Sequence, residues 1–390
     1  MKILYDDAAF NQPYGGVTKY FAELVKNLPS GYSADLAVRS VQNFYLQEPP
    51  FNYPKATHTQ WNFWPWLKLR GKWMIYRFLA QTLRLIPSCE YENRRLFVQK
   101  LKAGDFDILH ITDPHKYTFE WTSLVGKKPI VMTVHDLIPD MNIRNVKIRR
   151  DRAKALRLVD RVIAVSENTK QDLVKLYGVE PEKISVVYHG ADVQSREDVA
   201  SPFPGIRYLL YVGGRRGYKN FDLFARVVAR LMKERLDLHL VCTGGELLTS
   251  ERKPFIGAGV MDRVHARYVQ QSDFPALYAN ALAFVYPSKY EGFGIPIVDA
   301  FRAGCPVVLA RASCFPEVGG DAALYFDADS EEELRRCILD VMDKPDLRED
   351  LIVRGKNRAV AFTWQRCAAE TVKVYRLAME NLRWQPQATA

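Results

Sequence analysis

AFVYPSKYEGFGIPIVDAFRAGCPVVL, residues Ala283–Leu309, decides the fold. It opens on a short apolar run, Ala283–Tyr286, of strand length. A glycine loop follows, with Gly292 and Gly294, and then a helical stretch holding Asp299. A second apolar run, Pro306–Leu309, closes it. A strand, a glycine turn, a helix and another strand make one βαβ unit, and repetition of that unit implies parallel sheets wound by helices.

The unit does repeat. In the first half the pattern predicts strands at Lys2–Tyr5, Ala34–Val38, Asp107–Ile111, Ile130–Val134, Arg161–Val165 and Ile184–Tyr188. In the second half it predicts Tyr208–Val212, Leu238–Cys242, Ala283–Tyr286, Pro306–Leu309 and Ala323–Phe326. Between the halves, SREDVASPFPG (Ser195–Gly205) is polar, holds two prolines and shows no apolar periodicity. It reads as a linker. A chain of 390 residues is too long for one ordinary core. The expected fold is therefore α/β, with two doubly wound Rossmann-like domains facing a central cleft, residues 1–195 and 206–362. Ligands in such sheets sit beyond the carboxyl ends of the strands.

Composition excludes disordered and fibrous classes: 48% of residues are hydrophobic and 26% charged. The formal charge of +10 points to anionic partners. It is unevenly placed. Residues 61–102 carry nine Lys/Arg against two acids, and residues 144–161 carry eight against two, together more than the net charge of the whole chain. Four tryptophans (Trp61, Trp64, Trp66, Trp73) precede a helical pattern, Trp73–Ile86, whose narrow polar stripe is Arg77, Gln81 and Arg84. That combination fits an interfacial helix on an anionic membrane, and equally a core helix with a solvated rim. No nucleic-acid module accompanies it, so no nucleic-acid partner is expected. The six cysteines are scattered, with no Cys-x-x-Cys pair, and two acids at Asp6 and Asp7 precede any signal-peptide core. A cytoplasmic protein with reduced thiols is expected, and no run of apolar residues is long enough to span a membrane.

Three glycine turns carry candidate chemistry. Gly15-Gly16 lies between the first strand and a helix, where the backbone can approach an anion closely. In VGGRRGYKN (Val212–Asn220), Gly214 sits beside two cations: Arg215 offers a fork to phosphate oxygens and Lys219 a point charge. A solvated basic loop is the plainer alternative. In the Ala283–Leu309 stretch, Gly292 and Gly294 present N–H groups at a helix start, suited to a leaving diphosphate. There Glu291 precedes the helix and Asp299 lies about two turns along it, so one carboxylate can reach a sugar hydroxyl and the other a ribose diol. Helix capping and surface charge remain the alternative for both acids. His135, Ser166 and His189 stand at the ends of further strands, with Ser166 placed as a helix cap.

Taken together, the chain resembles the retaining family 4 glycosyltransferases of the GT-B fold over nearly its whole length. EGFGIPIVDAFRAGCPVV (Glu291–Val308) resembles the family's E-x7-E segment, with Asp299 in place of the second Glu. HDLIPD (His135–Asp140), AVSENTKQDL (Ala164–Leu173) and VGGRRGYKN add to it. The resemblance implies that Arg215 and Lys219 hold the donor diphosphate beside Gly214, with the Gly15-Gly16 backbone opposite. It places Glu291 on the donor sugar, within the donor-binding run Gly292, Phe293, Gly294 and Ile295. Asp299 falls on the ribose, His135 beside the transferred sugar, and Tyr268 and Val269, after a short strand, at the base. It implies no metal or other cofactor, retention by front-face attack, and a last helix, about Thr363–Leu382, returning to the first domain. The resulting expectation is transfer of a hexose, mannose from GDP-mannose or a deoxy sugar, to a glycan or lipid-linked glycan in bacterial surface polysaccharide synthesis. The enzyme would sit peripherally on the cytoplasmic face of the inner membrane, through residues 61–102 and 144–161. A nucleotide-sugar epimerase and a non-catalytic nucleotide-sugar-binding scaffold share the fold and stay open as alternatives.

Overall fold

The computed structural model describes residues 1–11, 15–56, 89–113, 122–141, 145–191, 201–215 and 217–383. Its backbone divides into two units. The first holds Met1–Val165, Thr169–Val187 and the chain from Trp364 onward; the second holds Ser166–Asn168 and Tyr188–Thr363. The tryptophan-rich stretch 61–86 lies outside the described residues, as does most of the polar segment between the halves.

Each unit is built on one six-stranded sheet, parallel throughout. In the first, β1 (Lys2–Tyr5), β2 (Ser33–Leu36), β3 (Ile108–Ile111), β4 (Ile130–Val134), β5 (Arg161–Ala164) and β6 (Ile184–Val186) lie in the order β2-β1-β3-β4-β5-β6. In the second, β7 (Arg207–Tyr211), β8 (Leu238–Cys242), β9 (Val264–Ala266), β10 (Ala283–Tyr286), β11 (Val307–Ala310) and β12 (Ala323–Phe326) lie in the order β12-β11-β10-β7-β8-β9. Helices cover both faces of such sheets, so the central strands are buried along their whole length. Every residue of β3, β4, β10 and β11 is buried.

Two strands, β2 and β6, stop two residues short of the predicted ends, for one reason. β2 closes at Leu36, which is paired with Tyr5, the last residue of β1. β6 closes at Val186 against Ala164, the last residue of β5. Where the neighbour's ladder runs out, Val38 and Tyr188 have no strand beside them to pair with, whatever their own β propensity. The helix of the third glycine turn also starts later than its sequence implies. It runs Ile295–Arg302 behind Gly294 at φ 90°, so Asp299 is its fifth residue, little more than one turn in, and not two turns along.

The strand order fixes where a ligand can sit. In the second sheet the winding reverses between β7 and β10, and the loops leaving their carboxyl ends diverge to open a crevice there. Those loops are 212–220 and 287–294, which carry Lys219 and Glu291. The first sheet reverses between β1 and β3, and the segment after β1 leads to Gly15-Gly16.

The final helix, Trp364–Arg383, belongs to the first unit and is held there by a buried polar chain. Tyr375 Oη lies 2.9 Å from Tyr5 Oη and 2.6 Å from His110 Nδ1, while His110 Nε2 lies 2.8 Å from Thr133 Oγ1. Full burial pushes the His110 pKa down to about 3, so the imidazole is neutral and offers one donor and one acceptor to its two hydroxyl partners. All six cysteines are buried and free. Among the described residues no helix is long and apolar enough to cross a membrane.

Candidate functional site

Beside the reversal point of the second sheet, over the carboxyl ends of β7, β8 and β9, lies a cleft of about 470 Å³, within the range of small-ligand sites. Gly214, Arg215, Tyr218 and Lys219 line it from the loop after β7, and Gly244, Gly245, Glu246 and Leu248 from the loop after β8. Glu251 of the helix Thr249–Ala258, and Tyr268 after β9, complete it.

Lys219 is the cation that meets the second carboxylate. Its Nζ donates to Glu291 Oε1 at 2.6 Å, with both side chains mostly buried. Two loops make that meeting possible, because Lys289 N–H donates to the Tyr218 carbonyl at 2.7 Å and ties 217–219 to 287–291. The ammonium also lies 5.1 Å from the Tyr218 ring centroid and 5.6 Å from that of Tyr286, within cation–π reach. Tyr286 is held well above the usual phenol pKa, by burial first and then by the Glu291 charge. Sequence reading gave Lys219 and Glu291 separate tasks, one on phosphate and one on sugar. In the structure each is the other's partner.

Glu291 itself is positioned by a residue that sequence reading missed. Ser313 Oγ donates to the Glu291 carbonyl at 2.6 Å and accepts from its N–H at 3.3 Å. Cys314 Sγ adds a contact to the same carbonyl at 3.3 Å. Ser313 holds φ at 52°, a left-handed conformation rare outside glycine, Asn and Asp. The signal was a polar residue three positions past the carboxyl end of β11.

Arg215 departs from the expected fork to phosphate. Its Nε donates to Glu251 Oε2 at 3.1 Å, Nη1 to the Thr243 carbonyl at 2.7 Å and Nη2 to the Glu246 carbonyl at 2.7 Å. Only 6% of the side chain is exposed. Charges lining the cleft therefore balance: Arg215 and Lys219 against Glu246 and Glu251. The chain's basic excess is elsewhere.

The remaining candidates divide by place. Gly214 adopts no left-handed φ and a Cβ there would meet nothing within 4 Å, so the fold does not require its glycine. An open, side-chain-free surface on a cleft is what a close-lying ligand needs. Tyr268 is 85% exposed and lines the cleft; Val269 does not line it. The Phe293 ring is buried against His189, Phe362 and Tyr188, at centroid distances of 4.9, 5.6 and 5.9 Å, so packing is its task and only its backbone could face a donor. Gly292 is buried, and Gly294 and Ile295 form the start of the helix Ile295–Arg302 without lining the cleft. Asp299 is buried and also off the cleft lining; its charge acts on Tyr278, whose hydroxyl burial already holds far above its usual pKa.

In the first unit, His135 follows β4 and Gly16 begins the helix Gly16–Lys26. Tyr20 and Phe21, one turn into that helix, bring the two together: their ring centroids lie 4.8 and 5.6 Å from that of His135. Burial holds the His135 pKa down to about 3, with His110 and Arg152 adding to it, so His135 acts as a neutral hydrogen-bonding group. Gly15 is extended, at φ 162°, and around Gly16 a Cβ would meet nothing. Asp140 of the HDLIPD segment is a structural acid, paired at 2.9 Å with buried Arg152.

A second groove, of about 390 Å³, lies on the helices Phe221–Glu234 and Thr249–Ala258. Glu331 already pairs with its Arg226 and Arg230. Among the described residues, no three His, Cys, Asp or Glu side chains gather where a metal could bind.

Known proteins match both halves of the chain. Residues 14–195 match the family described as Glycosyltransferase Family 4, and residues 196–358 match Glycosyl transferases group 1. O-antigen chain mannosyltransferase B of Escherichia coli is 42% identical over 110 residues, covering 28% of this chain and 29% of its own length. The MMP alpha-(1->4)-mannosyltransferase of Mycolicibacterium hassiacum is 30% identical over 318 residues, covering 72% of this chain and 73% of its own. Alignment thus spans less than a third of the Escherichia coli relative. Among solved structures, HepE of Anabaena, crystallised with UDP and glucose, superposes with a TM-score of 0.68 at 18% identity, covering 99% of this chain and 100% of that one. That likeness speaks for the fold. By its matched segments and its two Rossmann-like sheets, this chain belongs to the family 4 glycosyltransferases of the GT-B fold.

Proposed function

We propose that this chain transfers a mannosyl residue from GDP-mannose to a glycan or lipid-linked glycan of a bacterial surface polysaccharide, with retention and without a metal. The Lys219–Glu291 pair at the β7/β10 reversal carries this reading. A cation and a carboxylate 2.6 Å apart match a donor that brings a diphosphate and a sugar to adjacent points. The phosphate would take Lys219, and freed Glu291 would turn to a sugar hydroxyl. With Lys219 and the loop N–H groups as the electrophilic side, no cation need be recruited. The mannosyl assignment follows from the names of both relatives described above. His135 would serve as a neutral hydrogen-bonding group toward the donor sugar, and the Gly15-Gly16 backbone toward the phosphates.

The deciding experiment is thermal denaturation with GDP, UDP, dTDP and their sugars, in EDTA. Ligand at about 100 Kd stabilises by roughly 2.7 kcal/mol. We expect the GDP series to raise Tm in EDTA; a rise only with added divalent metal would overturn the metal-free reading, and a UDP-only rise the donor assignment.

A membrane-bound acceptor is supported by the helix Val146–Leu158. Its exposed residues include Lys147, Arg150, Lys154 and Arg157, with Val146 67% and Ile148 41% exposed beside them. Each such cation contributes about 1 kcal/mol at an anionic surface. Changing all four cations to Glu should reduce cosedimentation with phosphatidylglycerol vesicles by roughly a thousandfold in partition coefficient. Undiminished cosedimentation would remove this helix from the membrane contact.

A further inference from the structure

Resting on the nucleotide-sugar reading above, we infer that Arg215 is a positioning residue, which with Glu251 clamps the loop after β8 onto the loop after β7 and thereby shapes the cleft for the nucleoside as much as for its phosphates. The guanidinium spends three of its five N–H donors inside the protein, on Glu251 Oε2 and on the carbonyls of Thr243 and Glu246. Those two carbonyls bracket the Gly244-Gly245 turn, so one side chain from the β7 loop grips the β8 loop on both sides of its bend. Glu251 completes the clamp, because the same Oε2 also accepts from Leu248 N–H at 2.8 Å. Gly213 N–H donates to Thr243 Oγ1 at 3.0 Å and adds a backbone stitch.

The grip has no slack. A Cβ on Gly244 would lie 2.7 Å from the Gly213 carbonyl oxygen, so the two loops are in backbone contact. On the other side, a Cβ on Gly245 would lie 2.9 Å from the Tyr268 ring. The β8 turn is thus sandwiched between the β7 loop and the broad, exposed Tyr268 ring, which offers a stacking face to a base. Loosening the clamp shifts that face together with the phosphate-side loop. A guanidinium whose business was a phosphate would hold its fork toward the cleft; this one holds it toward two carbonyls and a carboxylate, and of those partners Thr243 and Glu251 are as buried as itself.

The test compares full-length wild type with Arg215→Met, Arg215→Lys, Glu251→Gln and the Arg215→Met/Glu251→Gln double variant. GDP and GMP, and UDP and UMP, are titrated calorimetrically at temperatures well below each variant's Tm. Positioning predicts that Arg215→Met weakens mono- and diphosphate binding by the same factor, about tenfold. Arg215→Lys, which keeps the charge but cannot make three bonds in a plane, should lose as much. Glu251→Gln should weaken both ligands several-fold, and the double variant should be no worse than Arg215→Met. Three results would overturn the inference: a loss at least tenfold larger for diphosphate than for monophosphate, retention of GDP affinity by Arg215→Lys, or tighter GDP binding by Glu251→Gln as a freed guanidinium reaches phosphate. Wild type that binds none of the four nucleotides would instead overturn the nucleotide-sugar reading beneath it. Should Arg215→Met fail to fold, the Arg215→Lys and Glu251→Gln titrations decide alone.

Discussion

Glu291→Gln should bind free nucleoside diphosphate more tightly than wild type while transferring sugar at least a hundredfold more slowly. Both halves follow from one contact. In the structure Lys219 is held by Glu291 at 2.6 Å, so an arriving diphosphate has to displace a carboxylate before it gains the ammonium. Glutamine keeps the shape and removes the charge. The competing ion pair, mostly but not wholly buried, opposes phosphate by about 1 kcal/mol, so relief is worth roughly fivefold in Kd. Turnover moves the other way, because a carboxylate that meets the sugar where positive charge develops contributes on the order of 2.7–4 kcal/mol to such sites. Calorimetry with GDP and UDP measures the first effect, and single-turnover transfer from the matching sugar nucleotide the second. Weaker diphosphate binding by the variant would show that the pair does not gate the phosphate site.

Lys219→Met carries the complementary expectation. It removes a charge-assisted bond to phosphate, about 1.5–3 kcal/mol, and leaves Glu291 mostly buried and facing the incoming phosphates without its partner. The combined loss should exceed a hundredfold in diphosphate affinity. A bare cation deletion and a cation deletion that exposes an acid are separable by adding Glu291→Gln to Lys219→Met. The double variant should recover about tenfold over Lys219→Met alone, because the two changes share one contact and cannot add. Affinity of Lys219→Met within threefold of wild type would remove Lys219 from the diphosphate site.

Much of this was legible before any coordinates. Apolar runs of four or five residues marked eleven of the twelve strands within two residues, all but β9, because buried parallel strands are largely apolar on both faces and leave no alternation to misread. The loops bearing Lys219 and Glu291 were legible for a related reason, since their glycines interrupt otherwise continuous apolar and helical pattern. What sequence could not supply is partner choice. Nothing in VGGRRGYKN says that Arg215 meets Glu251, 36 positions on, or that Lys219 meets Glu291, 72 positions on; only the strand order, which sets β8 on one side of β7 and β10 on the other, brings those side chains together. The Asp299 assignment shows the same limit. Its spacing from Glu291 was read as helical, but the first three of those residues form a glycine turn, and the carboxylate ends up beside Tyr278.

The return of the last helix to the first unit has a consequence for biosynthesis. Tyr375 joins Tyr5, His110 and Thr133 in one buried chain of hydroxyls and imidazole, and the helix also lays Trp364, Cys367 and Val372 into the core around Tyr5 and Phe21. On the ribosome, then, the unit begun first is finished last. The second unit, essentially residues 188–363, emerges complete while the first still lacks one wall of its core. The nascent chain must keep Tyr5, Tyr20 and Phe21 out of wrong company until the helix Trp364–Arg383 clears the exit tunnel, so a stop codon anywhere before Trp364 would compromise the half of the protein encoded farthest from it.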